Sequence, residues 1–178
     1  LPDAQSGPVQ RMPRENVLSA AEFGRAQRCY SRLGQTKSGD TTMTRSGRCL
    51  CGNIRYAFEG DPLAVAVCHC KHCQRQAGSA FSIVTVIASK VLTVDGTPKT
   101  YVDTTDSGNS LDRQFCGECG SPLFSISPAS PSTTIVKAGT LDDTSWLDPK
   151  VHVWCSSAQP WVEIDPGTIS FAQNAPTG

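Results

Sequence analysis

The chain has 178 residues, 16 Lys/Arg against 16 Asp/Glu, 15 Gly, 12 Pro and an aromatic share of 7%, which fits one domain of ordinary size, rich in turns. The charge is uneven: residues 1–47 carry seven Lys/Arg against four Asp/Glu, and residues 48–178 nine against twelve. A net-acidic body lacks the clustered cations that displace phosphate counterions, so nucleic acid is not an expected partner.

No apolar run approaches the ~20 residues of a membrane span, so no membrane association is expected. The opening Leu-Pro-Asp-Ala-Gln-Ser has no charged segment followed by an apolar one, so no secretory signal is visible and the cytoplasm is the expected compartment. Residues 1–42 are rich in Arg, Ser, Gln and Gly and show no strand alternation. They read as an N-terminal extension, either appended or an arm for a partner subunit, with one weak helix over Arg14–Tyr30. The organised domain is expected over 43–178.

From Gly47 onward strand patterns dominate. Ile54, Tyr56 and Phe58 alternate with Arg55 and Ala57, and Ala64–Cys68 is a short apolar strand ending on a cysteine. Residues 71–78 read as a helical turn stopped by Gly78. Ala80–Ala88 alternates again. Further strands are expected at Lys90–Asp95, Thr100–Thr104, Ser110–Phe115, Pro122–Ser127, Thr133–Ala138, Val151–Cys155 and Thr168–Phe171. Turn residues separate them at Asp95-Gly96, Ser107-Gly108-Asn109, Pro128 to Pro131 and Asp165-Pro-Gly167. The fold class is mainly β, with antiparallel sheets and one or two short helical turns.

Seven of the nine cysteines fall in three clusters, Cys49-Leu-Cys51, Cys68-His-Cys70-Lys-His-Cys73 and Cys116-Gly-Glu-Cys119. In a chain without a secretory signal such spacings favour metal ligands over disulfides. Two thiolates two residues apart reach one ion, and the knuckle glycines free backbone N–H groups to turn toward sulfur. Cys49 and Cys51 can complete a closed four-thiolate zinc site with Cys116 and Cys119, while Cys68, Cys70 and Cys73 supply three ligands and leave a fourth place open, as catalytic zinc sites do. The expectation is two zinc ions per chain. His69 or His72 could instead close the second site, although alternation turns both away from Cys68 and Cys70.

The stretches Gly47-Arg-Cys49-Leu-Cys51-Gly52, Cys68-His-Cys70-Lys-His-Cys73-Gln-Arg75, Gly78-Ser-Ala-Phe81, Phe115-Cys116-Gly-Glu-Cys119-Gly-Ser-Pro-Leu123, Gly139-Thr-Leu-Asp142 and His152-Val-Trp-Cys-Ser-Ser-Ala-Gln-Pro-Trp161 together resemble the glutathione-dependent formaldehyde-activating enzyme (Gfa) or centromere-protein-V-like family. The likeness runs from about Met43 to Phe171. It implies an Mss4-like fold of folded-over sheets tied by zinc. It also implies a structural zinc on Cys49, Cys51, Cys116 and Cys119, and a catalytic zinc on Cys68, Cys70 and Cys73 that serves carbon–sulfur lyase chemistry, with glutathione as cosubstrate adding to formaldehyde to give S-hydroxymethylglutathione.

Around the open site, Arg75 and His152 are candidate catalytic residues, His152 as a base or orienting group. Lys71, Gln74, Ser79 and Phe81 are candidate substrate-binding residues, the cations pairing with carboxylates of a glutathione-like molecule. Each has a plainer reading, as surface charge for Lys71 and Arg75 and as core for Phe81 and His152. Trp154 and Trp161 read as core or interface, and Cys29 and Cys155 as bystanders. The partners are a small thiol and an electrophile, and the chain is a monomer or homodimer. A lyase for another glutathione conjugate and a non-enzymatic zinc-binding interaction module are the alternatives.

Overall fold

The computed structural model describes residues 43–175; the expectations on residues 1–42, Cys29 among them, lie outside these. Among the described residues eleven strands run in chain order: β1 Thr44–Arg48, β2 Arg55–Glu59, β3 Ala64–Cys68, β4 Ser82–Ala88, β5 Leu92–Asp95, β6 Lys99–Thr104, β7 Ser110–Phe115, β8 Pro122–Ser127, β9 Ser130–Lys137, β10 Val151–Val153 and β11 Ile169–Ser170. One α-helix, α1 (Lys71–Ala77), lies between β3 and β4.

The strands form two sheets, a small one in the order β1-β2-β5 and a large one in the order β11-β10-β3-β4-β9-β8-β7-β6. Apart from the parallel pairs of β10 with β3 and with β11, the ladders are antiparallel. Successive side chains of a strand leave opposite faces, so the large sheet has two characters. One face carries Ile87, Phe124 and Val136, which pack with Ile54, Tyr56 and Phe58 beside the small sheet. Tyr56 meets the Phe124 ring edge-on at 5.0 Å between centroids. Full burial of a ring such as Phe58 contributes about 1.5–3 kcal/mol, and this seam is the apolar core. The other face carries Cys68, Ser82, Lys137, Ser125 and Arg113, which are buried yet mostly polar.

Two glycines are fixed by space. A Cβ on Gly47 would stand 2.3 Å from the Tyr56 ring and 2.5 Å from the Thr140 carbonyl, and one on Gly96 2.5 Å from the Asn53 carbonyl. Gly96 also has φ of 94° and turns the chain after β5.

Several boundaries differ from expectation. β1 has the polar sequence Thr-Arg-Ser-Gly-Arg with no apolar alternation, and backbone pairing to β2 makes it a strand. β9 begins at Ser130 and runs through Pro131, so the turn shrinks to Pro128-Ala129. Residues 89–91 form a 3-10 turn before β5. β10 stops at Val153 because Trp154 adopts a left-handed backbone, φ 60°.

Candidate metal centres

The first centre joins two turns. After β1, Cys49 N–H donates to the Ile54 carbonyl (3.0 Å), Gly52 N–H to the Cys49 carbonyl (3.1 Å) and Ile54 N–H to Cys49 Sγ (3.2 Å). Between β7 and β8, Cys116 N–H donates to the Ser121 carbonyl (3.0 Å) and Gly120 N–H to the Cys116 carbonyl (2.9 Å). Ser121 stitches the halves together: its hydroxyl accepts from Leu50 N–H at 3.0 Å and lies 3.3 Å from Cys119 Sγ.

The four sulfurs of Cys49, Cys51, Cys116 and Cys119 lie within 4.8 Å of one another, with Cys49–Cys51 at 3.5 Å and Cys51–Cys116 at 3.7 Å. All four cysteines are free. Zinc–sulfur bonds of about 2.3 Å in a tetrahedron need sulfurs roughly 3.8 Å apart, so the donor set fits zinc. The charges agree. The Ser121 hydroxyl and amide lower Cys119 to about 5. Cys51, although the Asn53 amide favours its thiolate, is pushed up to about 12 by desolvation and the adjacent sulfurs. A divalent cation lets all four ionise together.

The second centre is built by the end of β3 and the start of α1. Cys68 closes β3, Cys70 caps the helix with its sulfur accepting from Cys73 N–H (3.3 Å), and Cys73 sits in the first turn. At the other end Gly78, in the left-handed region, lets its N–H and that of Ser79 reach back to the Arg75 and Gln74 carbonyls. The three sulfurs lie within 4.8 Å of one another, all buried, with Val153 and Trp154 packed against them. Thiol donation from Cys68 and Cys70, helped by the Lys137 and Arg113 charges, drops Cys73 to about 2. Cys70 and Cys73 in turn push Cys68 up. This set also suits a divalent cation, three thiolates being one short of a closed shell.

The histidines are engaged elsewhere. His72 places Nδ1 2.9 Å from Asp103 and Nε2 3.2 Å from Asp106. His69, 0% exposed, lies with Nε2 3.0 Å from Nδ1 of His152. His152 pairs in register with Val67, whereas Val153 pairs with Cys68. Its side chain therefore leaves the sheet on the face opposite the Cys68 sulfur, against the expectation of a base at that centre. Phe81, half-buried, meets the His69 ring edge-on at 5.7 Å.

Gln74, expected among the substrate-binding residues, is held by the fold itself. It is buried, its amide donates to the carbonyls of His69 (2.6 Å) and Ser157 (2.9 Å), and its carbonyl accepts from Lys71 Nζ (3.2 Å) and Gln159 (2.8 Å). Those bonds occupy it as a tie. Arg75 and Ser79 are exposed and line a shallow groove of about 470 Å³ with Gln74, Gln159 and Trp161, the last 71% exposed. Cys155 is half-buried and belongs to neither cluster.

Three residues at the second centre carry no clear sign in the sequence pattern or only a faint one. Arg113, on the inner face of β7, donates to Asp103 at 2.6 Å and to Gln76 at 2.9 Å. Lys137, at the end of β9, donates to Ser82 Oγ at 3.2 Å. A lysine closing Thr-Ile-Val-Lys-Ala was the available sign; polar β7 offered none for Arg113 or its partner Asp103.

Fold and centres together define a two-sheet β protein with a four-sulfur and a three-sulfur cluster, each able to hold a divalent cation. Residues 44–157 match the family model described as glutathione-dependent formaldehyde-activating enzyme, and the chain belongs to that family. Curated relatives from Aspergillus flavus and Aspergillus oryzae that carry the family's name are each 28% identical over 114 residues, 61% of this chain. The match spans 59% of those relatives' length. A crystal structure of a Rhodobacter sphaeroides protein aligns with TM-score 0.44 and 20% identity, over 58% of this chain and 91% of that one, a likeness too low to bear on fold or activity.

Proposed function

We propose that this protein is a zinc-dependent carbon–sulfur lyase that joins the thiol of glutathione, or a related small thiol, to formaldehyde or a similar electrophile. In the forward direction the sulfur–carbon bond forms, the carbonyl π bond opens, and the thiol proton ends on the new hydroxyl oxygen. One observation carries the reading: three buried thiols converge at the end of β3, and among the described residues no histidine or carboxylate joins them to complete a fourfold set.

Zinc bound there supplies Lewis acidity toward an incoming thiol or carbonyl oxygen. Val153 and Trp154 shield the sulfurs from water. Arg75 and Lys71 offer exposed charges on the outer side of α1, suited to the carboxylates of glutathione, with Ser79 beside Arg75 in the groove. Helix α1 connects groove and sulfurs. No proton-transfer role is assigned to His152.

The cytoplasm remains the proposed compartment, in keeping with eight free cysteines among the described residues; there, too, no helix is long and apolar enough to cross a membrane. The test is the rate of S-hydroxymethylglutathione formation with zinc-loaded protein. It should exceed the spontaneous rate and return to it in Cys70→Ser, whose four-cysteine centre is untouched. A wild-type rate equal to the spontaneous one overturns the assignment for formaldehyde.

A further inference from the structure

The buried lysine under the three-sulfur centre has no role in the lyase chemistry as proposed. Lys137 is 4% exposed and in register with Val84 of β4. Ser82, two residues back on the same strand and face, pairs directly with Cys68. The bond from Lys137 Nζ to Ser82 Oγ therefore points the ammonium along the sheet face toward the Cys68 sulfur.

Arg113, the second buried cation on this face, also reaches Cys73, but it is paired with the Asp103 carboxylate at 2.6 Å. Among the described residues Lys137 has no carboxylate within 4.0 Å. A buried ammonium without a counter-charge is costly to hold. Among the described residues the counter-charge it faces is the sulfur cluster of Cys73, Cys68 and Cys70, where three thiolates around a divalent ion would leave one net negative charge. Ser125, across from Ile135 on β8, presents a further buried hydroxyl to this face with no hydrogen-bond partner among the described residues.

We infer that Lys137 is a positioning and specificity residue of the three-cysteine centre, there to make it accept an anionic thiolate, in preference to a neutral donor, as the exogenous ligand. This rests on the open-site reading above. With Lys137 in place, the metal-loaded centre starts neutral, and an entering thiolate meets a fixed positive charge. Without it, the thiolate enters a site already net negative.

The test uses full-length protein loaded with cobalt(II), whose thiolate charge-transfer and ligand-field bands report coordination without turnover. Glutathione and imidazole are titrated at one pH into wild type, Lys137→Met and Lys137→Arg. In K137M the glutathione dissociation constant should rise on the order of tenfold or more, since a nearby buried charge outweighs one pKa unit. Imidazole binding should change far less, and K137R should recover most of the glutathione affinity.

Equal weakening of both ligands would show a structural role and overturn the inference, as would unchanged glutathione binding in K137M. Wild type that binds neither ligand would sink the open-site reading together with it, which separates the two failures. Should K137M fold poorly, Lys137→Gln, which removes the charge but keeps a donor for Ser82, takes its place: a loss for imidazole as large as for glutathione overturns the inference.

Discussion

Asp103 ties three elements through its contacts with Arg113 and His72. Burial alone would raise its carboxyl, but the Arg113 guanidinium and His72 ring hold it below the usual carboxylate range. A carboxyl depressed in the folded state contributes stability that is complete above its unfolded value near 3.9 and fades as pH falls through the lower folded value. Asp103 and Arg113 are both largely out of water, their side chains 7% and 6% exposed, so removing one leaves an uncompensated buried charge. Asp103→Asn should therefore cost about 3–5 kcal/mol at neutral pH. In denaturant melts the gap to wild type should narrow as pH drops below about 4; a gap constant down to acid pH would refute the assignment. The sequence shows Asp103 only as one polar residue in a polar strand, since nothing local reveals that β7 places Arg113 beside it.

At the scale of the element, α1 has seven residues, far too short to hold itself in water. Its sequence announces the helix through Gly78 and the cysteine spacing, but not what fixes it. Tertiary ties do that: Cys70 caps it, His72 and Gln76 reach Asp103 and Arg113, and Gln74 reaches the carbonyls of His69 and Ser157. Gln74→Ala would remove those ties and cost about 1–3 kcal/mol. It should loosen the Cys73 end of the second centre more than the first. The check is chelator-driven release from protein loaded with zinc, expected to quicken at the second centre alone; equal quickening at both would argue against a local tie. β1 teaches the converse, because its polar residues become a strand only when β2 offers its backbone.

For the molecule as a whole, the four-sulfur centre connects the turn after β1 with the β7–β8 turn, more than 60 residues later, and so pins the small sheet to the large one. Structural zinc contributes roughly 10–16 kcal/mol of apparent free energy in small domains, comparable to a whole domain's net stability. Cys116→Ser, or exhaustive chelation, should abolish the cooperative thermal transition, whereas Cys70→Ser should leave most of it. An unchanged melt after Cys116→Ser would refute the clamp. The sequence by itself determined which cysteines gather and their division into four and three, because thiol spacing within a turn is local chemistry. It also determined most strands, because period-two alternation is written residue by residue. Only the tertiary structure decided that β10 joins β3 in parallel, that His152 faces away from the sulfurs, that Gln74 ties α1 to the carbonyls of His69 and Ser157, and that Lys137 and Arg113 lie beneath the sulfurs. Register and strand order set which face a side chain joins, and both come from pairings between segments distant in the chain.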